Sequence, residues 1–90
     1  MENWIRLHPD DNVLIARVTI SEGEQLIVDR AVVRVLTKIE LGNKLASRNI
    51  EEGESILKYG LPIGTAFLFI PAGSLVHVHN IRSNYITQPC

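Results

Sequence analysis

Cysteine is almost missing from this 90-residue chain. Its single copy is Cys90, the last residue, so neither an intrachain disulfide nor a multi-cysteine metal site can form. That usage fits a reducing compartment. Neither sign of charge dominates: the formal charge is −1, with Lys, Arg, Asp and Glu mixed along the chain. There is no basic stripe to track phosphates and no polybasic anchor for a membrane surface, so nucleic acid and membranes are expected not to be partners. Apolar runs fall well short of a membrane span. The opening Met-Glu-Asn-Trp-Ile-Arg-Leu-His lacks the basic stretch and apolar segment of a secretory signal. The expectation is a soluble cytoplasmic protein. Also missing are a nucleophile elbow, a phosphate-binding glycine loop and a zincin helix.

What is present is a 46% hydrophobic composition with only 6% aromatics, which argues for an aliphatic core and against disorder. A chain of this length builds one core, so residues 1–90 are expected to form a single domain. Domains this small are marginal alone, and a contact with a partner or a second copy, as in a homo-oligomer, fits the size.

The most informative pattern is internal. The string Ile-x-x-Gly-x-x-aliphatic occurs at Ile20/Gly23/Leu26, Ile39/Gly42/Leu45, Ile50/Gly53/Ile56 and Ile70/Gly73/Val76. Glycine tolerates positive φ, so each unit reads as a strand end, a tight reversal and a return to the core. The spacing is irregular, which excludes a solenoid and points to short strands with many reversals. The expected fold class is all-β. Residues 12–20 alternate as a half-buried strand, with Leu14, Ala16, Val18 and Ile20 on one face. Strands are also expected at 31–37, 65–70 and 75–81, a helical turn at 42–49, and a loop at 60–64, where two glycines flank Pro62. Residues before Ile5 and after Asn84 read as loose ends.

His77 and His79 lie at i and i+2 in the last of these strands, so both rings project to one face, roughly 7 Å apart at Cα. Two such imidazoles can meet on one metal ion, or hold an anion when protonated, and His8 is a candidate third group. The plainer alternative stays open: Val76 and Val78 fill the core while the histidines form a solvated face. Lys58, Tyr59, Asn80 and Arg82 flank the same region if the last strands pair with the loop before them. Arg and Lys there suit a carboxylate, although single exposed cations are usually plain surface. Asp10, Asp11 and Asn12 read as a turn ahead of a strand rather than as a ligand cluster.

Three separated segments carry a family resemblance. Ile56-Leu-Lys-Tyr-Gly-Leu-Pro-Ile-Gly64, Ile70-Pro-Ala-Gly73 and Val76-His-Val-His-Asn-Ile-Arg-Ser-Asn84 are similar to the N-terminal domain of the altronate dehydratase family. The opening Ile5-Arg-Leu-His-Pro-Asp-Asp-Asn-Val13 and the stretch Ile39-Glu-Leu-Gly-Asn-Lys-Leu-Ala46 resemble it too. The resemblance implies a SAF (antifreeze-protein-III-like) domain of the β-clip fold, preceding a large catalytic domain or made as a small subunit beside one. It implies the dehydration of altronate to 2-keto-3-deoxygluconate by a hydro-lyase that uses a divalent metal, iron(II) or manganese. A galactarate dehydratase or a sulfolactate sulfo-lyase is the alternative, or a binding module for a sugar acid or a protein. On the family's histidine-x-histidine-asparagine motif fall His77, His79 and Asn80, and on its lysine-tyrosine-glycine motif Lys58, Tyr59 and Gly60. His77 and His79 are expected as catalytic and metal-holding groups, and Lys58, Tyr59 and Asn80, with the flanking Arg82, as substrate-binding groups. The general base is expected on the larger part, so that this chain alone is inactive.

Overall fold

The computed structural model describes residues 2–77 and 79–83, with Arg82 and Ser83 described by their backbone alone. Among the described residues there are nine strands and no helix. A four-stranded antiparallel sheet forms the middle of the molecule, from β1 (Trp4–Ile5), β2 (Val13–Ala16), β5 (Lys44–Ala46) and β8 (Leu75–Val76), in that order. On one side lies the hairpin of β3 (Gln25–Val28) and β4 (Ala31–Arg34). On the other lies the sheet of β6 (Ser55–Lys58), β7 (Leu61–Ala66) and β9 (Ile81–Ser83).

The central sheet is covered on both faces, and its period of two divides its side chains between two cores. Leu14, Ala16 and Leu45 enter the first core with Ile20, Leu26, Val28, Val33, Val35 and Ile39. Val13, Ala46 and Val76 enter the second with Ile50, Ile56, Ala66 and Ile70. A strand buried on both faces reads as a continuous apolar run, as Val-Leu-Ile-Ala does in β2.

The four Ile-x-x-Gly units work in pairs. Ile20 and Ile39 exchange backbone hydrogen bonds of 2.8 and 2.9 Å, and Ile50 and Ile70 exchange two of 2.8 Å. Gly23 N donates to Val35 O as Gly53 N does to Ala66 O, and Gly42 N donates to Ala16 O as Gly73 N does to Ala46 O. The chain is therefore a duplication: Ile20, Gly23 and the β3–β4 hairpin recur as Ile50, Gly53 and the β6–β7 hairpin. A one-residue offset accumulates in the second copy at the β-bulge where Ile56↔Gly64 gives way to Leu57↔Pro62.

Several expectations need correction. Residues 60–64 are not a loop: Tyr59 (φ 58°) and Gly60 (φ 73°) make a two-residue turn, and β7 starts at Leu61. Turns with positive φ at both central positions suit hairpins because their twist matches the strands, and Pro62 is accommodated at the bulge. The helical turn at 42–49 is instead β5, drawn into the sheet between β2 and β8. The strand at 12–20 stops at Ala16, where Arg17 N turns to Asn3 O (2.8 Å), leaving Val18 46% exposed before Ile20 re-enters. The strand at 31–37 is regular only to Arg34. The run at 65–70 leaves the strand after Ala66, and Phe67, Leu68 and Phe69 stand exposed. The strand at 75–81 is two short strands, β8 and β9, separated by a turn.

Glycine matters most at Gly73, with φ 86°: a Cβ there would sit 2.0 Å from Arg34 O. At Gly53, with φ 88°, a Cβ would meet nothing within 4 Å. Gly53→Ala is thus expected to lower stability by about 1–2 kcal/mol, the strain of a left-handed backbone. Gly73→Ala should lower it by at least about 2 kcal/mol more, because a backbone atom must move. Urea titrations of the two variants check the order; equal losses would mean that the approach of β8 to Arg34 is loose.

Candidate functional site

The β6–β7 turn is fixed from below by the segment that precedes β2. Asp11 is 5% exposed, and its carboxylate accepts hydrogen bonds from Tyr59 N (2.9 Å) and Gly60 N (2.7 Å). Asn12, 1% exposed, donates from Nδ2 to Ser55 O and accepts at Oδ1 from Leu57 N, both at 2.9 Å. The His8 ring covers Gly60 so closely that a Cβ there would lie 3.0 Å from three ring carbons, and its Nδ1 accepts from Asp10 N (3.1 Å). Sequence reasoning took 10–12 for a plain turn. It missed that Asp11 and Asn12 are buried anchors; the available signal was two short polar side chains directly before an apolar strand, each able to satisfy a neighbouring strand's free backbone groups.

Held in this way, the turn presents Lys58 and Tyr59. The Lys58 ammonium lies 5.9 Å from the centre of the Tyr59 ring, which is itself exposed. Lys44 on β5 is half-buried, and its ammonium is pushed below the ordinary lysine range, first by that burial and then by repulsion from Lys58. Among the described residues neither lysine has a carboxylate partner; the ion pairs are Arg6–Asp29, His8–Asp10, Lys38–Glu40 and Arg48–Glu54.

His77 and His79 are both exposed, but they do not share a strand face. They lie in the turn between β8 and β9, which Asn80 organises. Asn80 Oδ1 accepts from His77 N (2.9 Å), and Nδ2 donates to Leu75 O (2.7 Å). Both ends of the amide that was expected to bind substrate are thus engaged by backbone, and the residue is 3% exposed. Val76 is fully buried, as the alternation required, while Val78 lies outside the described residues. The structure does not gather the sequence-derived candidates into one cluster. Arg82 pairs with Thr65 and Ile81 with Ala66, near the far end of β7 from the Lys58–Leu61 pair. Four or five strand residues separate those levels, roughly 13–17 Å. An open groove of about 360 Å³ at that far end is lined by Glu52, Gly53, Thr65, Ala66 and Phe67, away from the lysines.

A divalent metal finds no complete ligand set here. No group of three His, Cys, Asp or Glu side chains converges among the described residues, and two exposed imidazoles fall short of the three protein ligands usual in a catalytic site. Among the described residues no side-chain set fits the metal that the family resemblance implied.

The fold is thus that of a small all-β module with one hairpin tip rigidly held and cationic, of the SAF class. Residues 2–84 match the family model described as the altronate/galactarate dehydratase SAF domain, and the chain belongs to that family. It is 42% identical over 84 residues to the altronate dehydratase of Bacillus subtilis (strain 168), and 41% identical over 81 residues to that of Escherichia coli (strain K12). These matches cover 93% and 90% of this chain but only 17% and 16% of the relatives. The (2R)-sulfolactate sulfo-lyase subunit alpha of Chromohalobacter salexigens is 42% identical over 45 residues, half of this chain and 48% of that subunit. No helix among the described residues is long and apolar enough to cross a membrane.

Two outcomes test the electrostatics and the anchor. Replacing Asp11 by Asn puts an amide donor against one of two backbone N–H groups; the expected loss is about 1.5–3 kcal/mol, with faster amide exchange at Tyr59 and Gly60. Unchanged exchange there would mean the carboxylate is dispensable. For Lys44 the folded pKa is lower than the unfolded value of 10.5, so the unfolded state binds more protons between the two. Its charge therefore opposes folding at neutral pH, and the penalty fades as pH rises toward 10.5. Lys44→Met should be more stable than the parent at pH 7, with the difference shrinking in alkaline melts.

Proposed function

We propose that this chain is the SAF part of an altronate dehydratase-type hydro-lyase, acting on a sugar acid in the cytoplasm together with a larger catalytic domain or subunit. The observation that carries the proposal is the β6–β7 tip, where buried Asp11 and Asn12 hold the backbone of Leu57, Tyr59 and Gly60 on either side of Lys58. Dehydrating a 2,3-dihydroxy acid removes a proton next to a carboxylate, and the charge that develops needs a fixed cation. A lysine carried on a hairpin whose backbone is anchored suits that task, and a module closing over the bound acid also excludes water.

The larger part is inferred from two observations. The chain spans about a sixth of the altronate dehydratases that it matches, and three consecutive apolar side chains, Phe67, Leu68 and Phe69, are 42–45% exposed. The general base and the ligands of any iron(II) or manganese belong to that part. The exposed His77 and His79 are assigned to the contact with that part, with Arg82 of β9 as a further cation. A second reading, the small subunit of a sulfo-lyase, is favoured by the match to half of a sulfolactate sulfo-lyase subunit alpha.

The test is turnover of altronate and of sulfolactate by the chain assembled with a catalytic part lacking its own SAF region. Altronate should be dehydrated by the assembly and not by the chain alone. Replacing both His77 and His79 by Gln should lower turnover by about a hundredfold or more, while stability stays within about 0.5 kcal/mol. Unimpaired turnover would return the two histidines to a solvated turn; turnover of sulfolactate alone would favour the second reading.

A further inference from the structure

The duplication allows each position in one half to be compared with its counterpart in the other. Strand pairing fixes the correspondence. Leu14↔Leu45 in the first half becomes Lys44↔Val76 in the second, Val28↔Ala31 becomes Lys58↔Leu61, and Leu26↔Val33 becomes Ile56↔Gly64. Most counterparts are core residues in both halves: Ala16 and Ala46, Ile20 and Ile50, Leu26 and Ile56, Ile39 and Ile70, Leu45 and Val76 are all buried. Three are not alike. Where the first core packs Leu14, Val28 and Val33, the second has Lys44, Lys58 and Gly64.

These substitutions share one location. Leu14, Val28 and Val33 belong to a single packed cluster. By correspondence, Lys44 and Lys58 both lie beside the second core, near enough for Lys58 to repel the Lys44 charge. Side-chain parity leads to the same conclusion. On β6, Lys58 points to the side of buried Ile56, and on the central sheet Lys44 shares a row with Ile15 and buried Val76. Gly64 is buried and has no side chain, and the bulge residue Ile63 packs against the second core beside it.

We propose that Lys44 and Lys58 together form a carboxylate-binding site at the edge of the second core, at the positions that Leu14 and Val28 occupy in the first. Two ammonium groups with no carboxylate partner among the described residues offer six N–H donors to the two oxygens of one anion. Ile15 and Val76 flank Lys44, and its half-burial weakens the screening of its charge by water. Asp11 is engaged with Tyr59 N and Gly60 N and makes no ion pair with either lysine among the described residues. The ligand is the carboxylate of a small polyhydroxy acid. The site rests on the sugar-acid reading above and adds Lys44, which that reading does not use.

The experiment follows the side-chain Cε–Hε signals of Lys44 and Lys58 by NMR in the 90-residue chain, during titration with altronate, with the neutral alditol altritol and with inorganic phosphate. Altronate should shift both signals saturably; altritol should leave them unmoved, and phosphate should bind at least about tenfold more weakly. Lys44→Met and Lys58→Met should each weaken altronate binding about tenfold or more, the effect of losing one charge-assisted contact. Lys38→Met, which removes a surface pair with Glu40, should not. Absence of a saturable shift, equal response to altritol or phosphate, or undiminished binding by Lys44→Met would each overturn the proposal. The wild-type titration decides the matter even if a variant folds poorly. Altronate bound at these lysines in a chain that supports no dehydration when assembled would leave the site standing and remove the hydro-lyase reading. An active assembly whose KM for altronate is unchanged by Lys44→Met would do the reverse.

Discussion

Everything in this molecule depends on a central sheet whose middle strands bury side chains on both faces. Strands β2, β5 and β8 are four residues long or fewer, yet Val13, Leu14, Ala16, Leu45, Ala46 and Val76 are all at most 2% exposed. Burial on both faces requires a cover on each side, and the hairpins β3–β4 and β6–β7 supply one each. It also leaves backbone groups at the ends of these short strands that only turns or side chains can satisfy. The Ile–Ile bridges and the glycine turns meet that need at four places, which is why the Ile-x-x-Gly string recurs.

The duplicated halves have been put to different uses. In the first, the hairpin tip is Asp29-Arg30, both at positive φ, and the exposed Asp29 carboxylate takes a two-pronged hydrogen bond from Arg6 at 2.9 Å for each contact. That contact holds Asp29 below the usual carboxylate range, chiefly through the hydrogen bond from Arg6, and closes the tip with a neutral pair. In the second, the corresponding tip is Tyr59-Gly60, held through its backbone by a buried carboxylate, so that no side chain at the tip is consumed by the anchoring. One tip is closed on itself and the other is kept open.

Much of this was legible in the residues, and the rest was hidden for identifiable reasons. The Ile-x-x-Gly strings gave short strands and reversals, and Val76 is buried where the alternation put it. The duplication was invisible because the bulge at Ile56/Leu57 adds a residue to the second hairpin and spoils the period. The loop expected at 60–64 came from weighing Pro62 as a breaker without the bulge that admits it. His77 and His79 looked like neighbours on a strand because Leu75, Val76 and Ile81 are all strand-forming. Asn80, through its bonds to Leu75 O and His77 N, is what converts the segment between them into a turn. Pairing of Lys44 with Lys58 could not be read at all, since the two residues meet only through long-range packing.

The energetic comparison between the halves shows why the polar anchors and the lysines belong together. Filling the positions of Leu14 and Val28 with lysine forgoes about 1.5–3 kcal/mol of apolar burial at each. Asp11 and Asn12 contribute four hydrogen bonds to the β6–β7 hairpin. At about 0.5–1.5 kcal/mol each, more where a carboxylate accepts, they restore a similar amount. The second half thus uses directional bonds where the first uses packed side chains. Bonds to the backbone of Ser55, Leu57, Tyr59 and Gly60 fix the hairpin without using the side chains of Lys44 and Lys58. A hairpin anchored in this way can keep two like charges side by side, and the charges in turn give the anchoring a purpose that stability alone does not supply.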